Sequence, residues 1–170
     1  MSPPRIMLGG VPIVLHAGAP EESIGPIGGS TVLRMSDGAG VKMQHWKKSA
    51  GSISGTGWMP PGLAGLDFSQ PLELRSTKTL SHVGPGPTFT LLGTPRPDVA
   101  PWAQALIGGR DWVRVPCSFA DGVVTVPPVP GATLYQACYM PVFSVFAEDP
   151  QESQSSGTAS HSWSIPWEEA

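Results

Sequence analysis

Helical periodicity is missing from this 170-residue chain. No long window repeats apolar residues at three- and four-residue spacing, so a helical bundle or an α/β layer has nothing to be built from. Charge is scarce as well. Charged residues make up 14% of the sequence and the formal net charge is −3, which leaves no basic field for nucleic acid and removes it as an expected partner. No run approaches the roughly 18 apolar residues of a spanning helix, so membrane insertion is not expected. The start, Met1-Ser2-Pro3-Pro4-Arg5, lacks the apolar core of a signal peptide, and the stretch after it is broken by Gly9-Gly10 and Pro12; the expectation is a cytoplasm, or release by lysis. Cysteine is limited to Cys117 and Cys138, neither in a CxxC pair. Two such residues cannot form a zinc site, and on two strands of one meander in a reducing compartment they are expected as free thiols, with a disulfide as the alternative.

Glycine (21) and proline (20) are plentiful enough to raise the question of disorder. The 40% hydrophobic content and six tryptophans argue against it, and these residues read instead as punctuation between many short strands. At this length one domain spanning 1–170 is expected. The fold class that follows is all-β, an antiparallel β-sandwich with a long Gly/Pro-rich loop or arm at about 47–67.

Along the chain, Arg5–Leu8 and Val11–His16 form a hairpin about Gly9-Gly10, with Val11, Ile13 and Leu15 on one face and Pro12 favouring a sheet edge. Residues 17–29 read as loop. Strands at 30–35 and 41–46 flank a Ser36-Asp37-Gly38 turn, Leu72 and Leu74 point inward from 71–75, and two strands surround Gly84-Pro85-Gly86-Pro87. The segment Asp98–Ile107 is the one helical candidate, with Asp98 as N-cap. Val113, Val115, Cys117 and Phe119 then share one face of a strand, and Ala120-Asp121-Gly122 turns the chain into 123–126. Thr133–Phe146, apolar on both faces, is a central strand with a bulge at Pro141. Residues 148–160 are a flexible connection to a last strand, His161–Trp167, paired within the sheet.

No catalytic constellation is present, and the protein is not expected to be an enzyme or to carry a cofactor or metal. Gly51-Ser52-Ile53-Ser54-Gly55 has isoleucine where a nucleophile elbow needs its serine. His16, His45, His82 and His161 form no metal-spaced pair, and the adjacent acids at 21–22, 148–149 and 168–169 are explained by solvation. The feature with functional colour is the run from Lys47 to Asp67, which has no period. Trp46, Trp58, Met59 and Leu63 in and beside it are costly to leave in water, so the arm is expected to dock on a neighbour, against the alternative that the tryptophans cap their own sandwich.

Four segments carry a resemblance: Arg5–Ile13 (RIMLGGVPI), Gly28–Gly38 (GGSTVLRMSDG), Tyr139–Val145 (YMPVFSV) and Trp163–Glu169 (WSIPWEE). Their texture resembles small tail-tip or baseplate proteins, including distal-tail-like proteins, of long-tailed bacteriophages. The resemblance implies a β-sandwich subunit that assembles with copies of itself into a ring and contacts other phage tail proteins. It implies a virion location after assembly in the host bacterial cytoplasm, and no site residues. Competing expectations are a carbohydrate- or receptor-binding β-sandwich module, whose tryptophans stack on sugar rings, and a capsid decoration or tail-completion protein.

Overall fold

A computed structural model describes residues 3–170, without the side chain of Leu15. Among these residues the chain is all-β and antiparallel, and its one helical element is a single 3-10 turn, Leu15–Ala17. In chain order the strands are β1 (Met7–Leu8), β2 (Val11–Pro12), β3 (Glu21–Arg34), β4 (Gly40–Gly57), β5 (Leu72–Arg75) and β6 (Leu80–Gly84). There follow β7 (Thr88–Thr90), β8 (Thr94–Pro95), β9 (Trp102–Ile107), β10 (Asp111–Val115) and β11 (Ser118–Ala120). The last are β12 (Val123–Thr125), β13 (Ala132–Tyr139), β14 (Pro141–Ala147), β15 (Gln151–Ser155) and β16 (Ser160–Glu169). They form two compact units, each assembled from segments distant in sequence: Met1–Pro12 with Glu73–Phe143, and Ile13–Leu72 with Ser144–Ala170.

The first unit is a small sandwich. A four-stranded sheet, β10-β9-β13-β6, and a three-stranded sheet, β11-β12-β7, share one core. Ala103, Ala105, Tyr135, Ala137 and Tyr139 come from the larger sheet, and Phe89 and Val124 from the smaller. The expected N-terminal hairpin is present, with β2 at the edge where Pro12 costs no ladder donor. Ile13, of its expected inward face, is buried; the side chain of Leu15 lies outside the described residues.

Four expectations are corrected here. Asp98–Ile107 is no helix: 102–107 is strand β9, where period-two burial of Ala103 and Ala105 between β10 and β13 overrides alanine's helix propensity. Asp98 caps nothing and instead pairs with Arg96. Thr133–Phe146 is two strands, because Met140 leaves the ladder and gives its carbonyl to Arg96 N, and Pro141 has no donor to continue it. The part that is central is β13, between β9 and β6. Likewise Pro116 splits 113–119 into β10 and β11, which lie in different sheets; Val115 and Cys117 reach the core while Val113 and Phe119 are exposed.

In the second unit β16 lies between β4 on one side and β14 and β15 on the other, with β3 beyond β4 at the edge. The C-terminal strand is therefore integral, as expected. Residues 151–155 of the supposed flexible connection are strand β15, a wholly exposed edge whose Ser and Gln side chains suit solvent on both faces. Trp163 and Trp167 stand opposite Gly55 and Gly51 across the β4–β16 ladder. That pairing corrects the reading of the arm. Residues 47–57 belong to β4, and their glycines serve close approach rather than flexibility. A Cβ on Gly55 would lie 2.7 Å from the Trp163 ring, and one on Gly51 would collide with the Ser23 carbonyl. The Gly/Pro-rich loop begins at Trp58 and runs to residue 71.

Candidate interaction surface

Strands β3 and β4 continue as a two-stranded ribbon beyond the rest of their sheet. β16 pairs β4 only from Ala50 to Gly57, whereas β3 follows β4 to Gly40, so among the described residues no third strand pairs with either from residue 49 toward the turn, although Ser49 N donates to Glu169 Oε2 (2.7 Å) and Lys48 Nζ to Ala170 O. Every residue from 30 to 48 is exposed. The ribbon projects about 20 Å from Ser30 to its turn at about 3.4 Å per residue. At the turn Met35 N donates to Ala39 O (2.9 Å), Ala39 N donates to Asp37 Oδ1 (3.0 Å), and Gly38 takes a φ of +84° that suits glycine. These bonds explain why Ser-Asp-Gly reverses the chain here.

Its two faces differ. Leu33 pairs with Val41 and Thr31 with Met43, and Met35 follows at the turn, which gives one apolar face. Val32 pairs with Lys42 and Ser30 with Gln44, and with Arg34 opposite Gly40 they give a mixed, basic face. Register shifts between Gly29 and Ser30, where His45 is the extra residue on β4. This bulge moves Trp46 opposite Gly29, on the side of Thr31 and Leu33, and its indole nitrogen lies 3.0 Å from where a Gly29 Cβ would be. The apolar face thus runs from Trp46 through Met43 and Val41 to Leu33 and Met35. Each of these, with Val32, is 42–58% exposed.

Of the residues singled out from sequence, Trp46 belongs to this surface. Trp58 and Met59 are exposed at the start of the following loop, where both backbone amides donate to His16 O (3.1 Å each) and the Trp58 ring lies 5.1 Å from the His16 ring. Leu63 is corrected: it is 1% exposed, held in the chain's own packing and absent from the docking surface. Sequence reasoning missed Val32, Leu33, Met35, Val41 and Met43. Their signal was the alternation on both sides of Ser36-Asp37-Gly38, which announces a hairpin; that both its faces are exposed is a feature of the tertiary structure.

Open clefts occur elsewhere on the second unit. One of about 370 Å³ is lined by Ala50, Phe146, Glu148, Pro166, Trp167 and Glu168, among others. Among the described residues no three His, Cys, Asp or Glu side chains are grouped to hold a metal ion, and no helix is long and apolar enough to cross a membrane. No protein-family model matches the chain, and no curated protein matches it.

Proposed function

We propose that the chain is a structural subunit that assembles with copies of itself into a ring, in the tail tip or baseplate of a long-tailed bacteriophage, and that it acts through surface contact. The observation that carries this reading is the β3–β4 ribbon. An isolated two-stranded hairpin is at best marginally stable in water, and one that shows a continuous apolar face gains its free energy from whatever covers that face. The resemblance of four segments to phage tail-tip proteins supplies the virion context.

Sedimentation of the purified full-length chain, followed by negative-stain imaging, tests the reading. Closed rings are expected, and a chain that stays monomeric at tens of micromolar overturns it. A second reading, a glycan-binding module, is favoured by Trp58, whose side chain stands 63% exposed beside His16. A monomer that binds a glycan array and loses binding in Trp58→Ala supports that one instead.

A further inference from the structure

We infer that the β3–β4 ribbon of one copy docks into the acidic cleft formed by Phe146, Glu148, Pro166, Trp167 and Glu168 of a second copy. The inference rests on the self-assembly reading above and adds to it two unlike surfaces and a direction.

Charge is divided unevenly along the chain. Residues 30–48 hold four of the ten Lys and Arg (Arg34, Lys42, Lys47, Lys48) and one of the thirteen acids, Asp37. The rest is left with six cations against twelve carboxylates, so a basic ribbon projects from an acidic body. The cleft sets carboxylates beside apolar surface, and the basic face of the ribbon sets Arg34 and Lys42 beside Val32. Phe146, 50% exposed, is the cross-strand neighbour of Glu168, and Ala50 on the other side of Glu168 is too small to cover it. Glu148 and Glu168 are both exposed, and Glu148 N is tied to Pro166 O at 3.0 Å, which fixes that rim. At about 370 Å³ the cleft is the size of a small-ligand site and takes a few side chains. Arg34, Lys42 and Val32 on the ribbon's basic face match it.

The occupant is a second copy because a chain's own ribbon cannot reach. Ala50 lines the cleft, and Val41 lies nine residues further along the same strand, about 30 Å away at 3.4 Å per residue and directed outward. An opening of about 540 Å³ beside Leu91, Leu92, Pro95 and Phe119 has no carboxylate in its lining and would leave Arg34 and Lys42 unpaired, whereas one of about 570 Å³ beside Phe68 shares Glu148 with the cleft and extends the acidic surface to Asp149. Ribbon and cleft are different surfaces, so the contact is head-to-tail, the type that closes into a ring or continues as a filament.

Sedimentation of three full-length variants tests this. Arg34→Glu/Lys42→Glu and Glu148→Lys/Glu168→Lys should each raise the concentration at half-assembly by about tenfold or more, since like charges then face each other. The chain carrying all four changes should assemble again, as should a one-to-one mixture of the two double variants, and added salt should loosen the wild type. If the wild type never assembles, both this inference and the ring reading fall. If it assembles and either double variant assembles equally well, or the fourfold variant stays dissociated, this docking is wrong while the ring reading stands.

Discussion

Asp98→Ala isolates the most demanding electrostatic arrangement in the first unit. Arg96 is 2% exposed, and its guanidinium donates from Nε and Nη2 to the two Asp98 carboxylate oxygens at 2.8 and 2.7 Å and from Nη1 to Ser76 O at 3.0 Å. Removing the carboxylate leaves a buried cation with one carbonyl. Breaking a fully buried pair in this way costs about 3–5 kcal/mol. The Asp98 side chain is 41% exposed, so water enters the vacated position and the expected loss falls to about 2–3 kcal/mol. Arg96→Met/Asp98→Ala removes the orphan charge and should recover part of that loss. The Asp98 carboxyl is held below its ordinary value of 3.8, first by the hydrogen bonds from Arg96. Its stabilising effect is therefore complete above that value and is lost as pH falls through the depressed one. The gap between wild type and Asp98→Ala should be full at pH 7 and close on acidification below pH about 4. Urea unfolding at a series of pH values, with hydrogen exchange of β13 to report on this unit alone, measures it. A loss under about 0.5 kcal/mol at pH 7, or a gap that widens in acid, would refute the reasoning.

Trp163→Phe removes the bond from Trp163 Nε1 to Ala17 O (2.8 Å) and strands a buried carbonyl, so unfolding free energy should drop by about 1–3 kcal/mol; an unmoved urea midpoint contradicts this. Gly51→Ala should yield insoluble protein because its Cβ meets the Ser23 carbonyl, while Gly25→Ala, with nothing within 4 Å, should stay soluble and within about 0.5 kcal/mol of wild type; equal behaviour of the two shows that β3 and β4 do not approach as described. Burial pushes both thiols up from the ordinary cysteine range, so alkylation at pH 7 should be slow at half-buried Cys117 and wait for unfolding at Cys138; rapid native-state labelling of Cys138 counts against its burial.

Sequence alone carried the all-β class, the Gly9-Gly10 hairpin, the turn at Ser36-Asp37-Gly38 and the pairing of the C-terminal strand. Each depends on local chemistry: two-residue alternation, and turn residues that accept the required backbone angles. Where alternation ran across a proline, the same reasoning joined what the fold separates. Pro116 follows the end of β10 and Pro141 opens β14, each at a step of the chain into a different sheet, and apolar content cannot show which sheet a residue enters. Glycine misled for a related reason. In Lys47–Gly57 it reads as flexibility, yet Gly51 and Gly55 stand opposite Trp167 and Trp163, partners more than a hundred residues away that only the register brings near. The candidate surface divides the same way. Exposure of Trp46 and Trp58 followed from their setting among polar residues and glycines, but the burial of Leu63 did not. That a ribbon of Val, Leu and Met is exposed on both faces is a matter of tertiary pairing, and the side of it that Trp46 joins depends on one extra residue in β4. Local alternation determines that a strand forms; which strands end beside it, and how far they extend, decides whether its faces become core or surface.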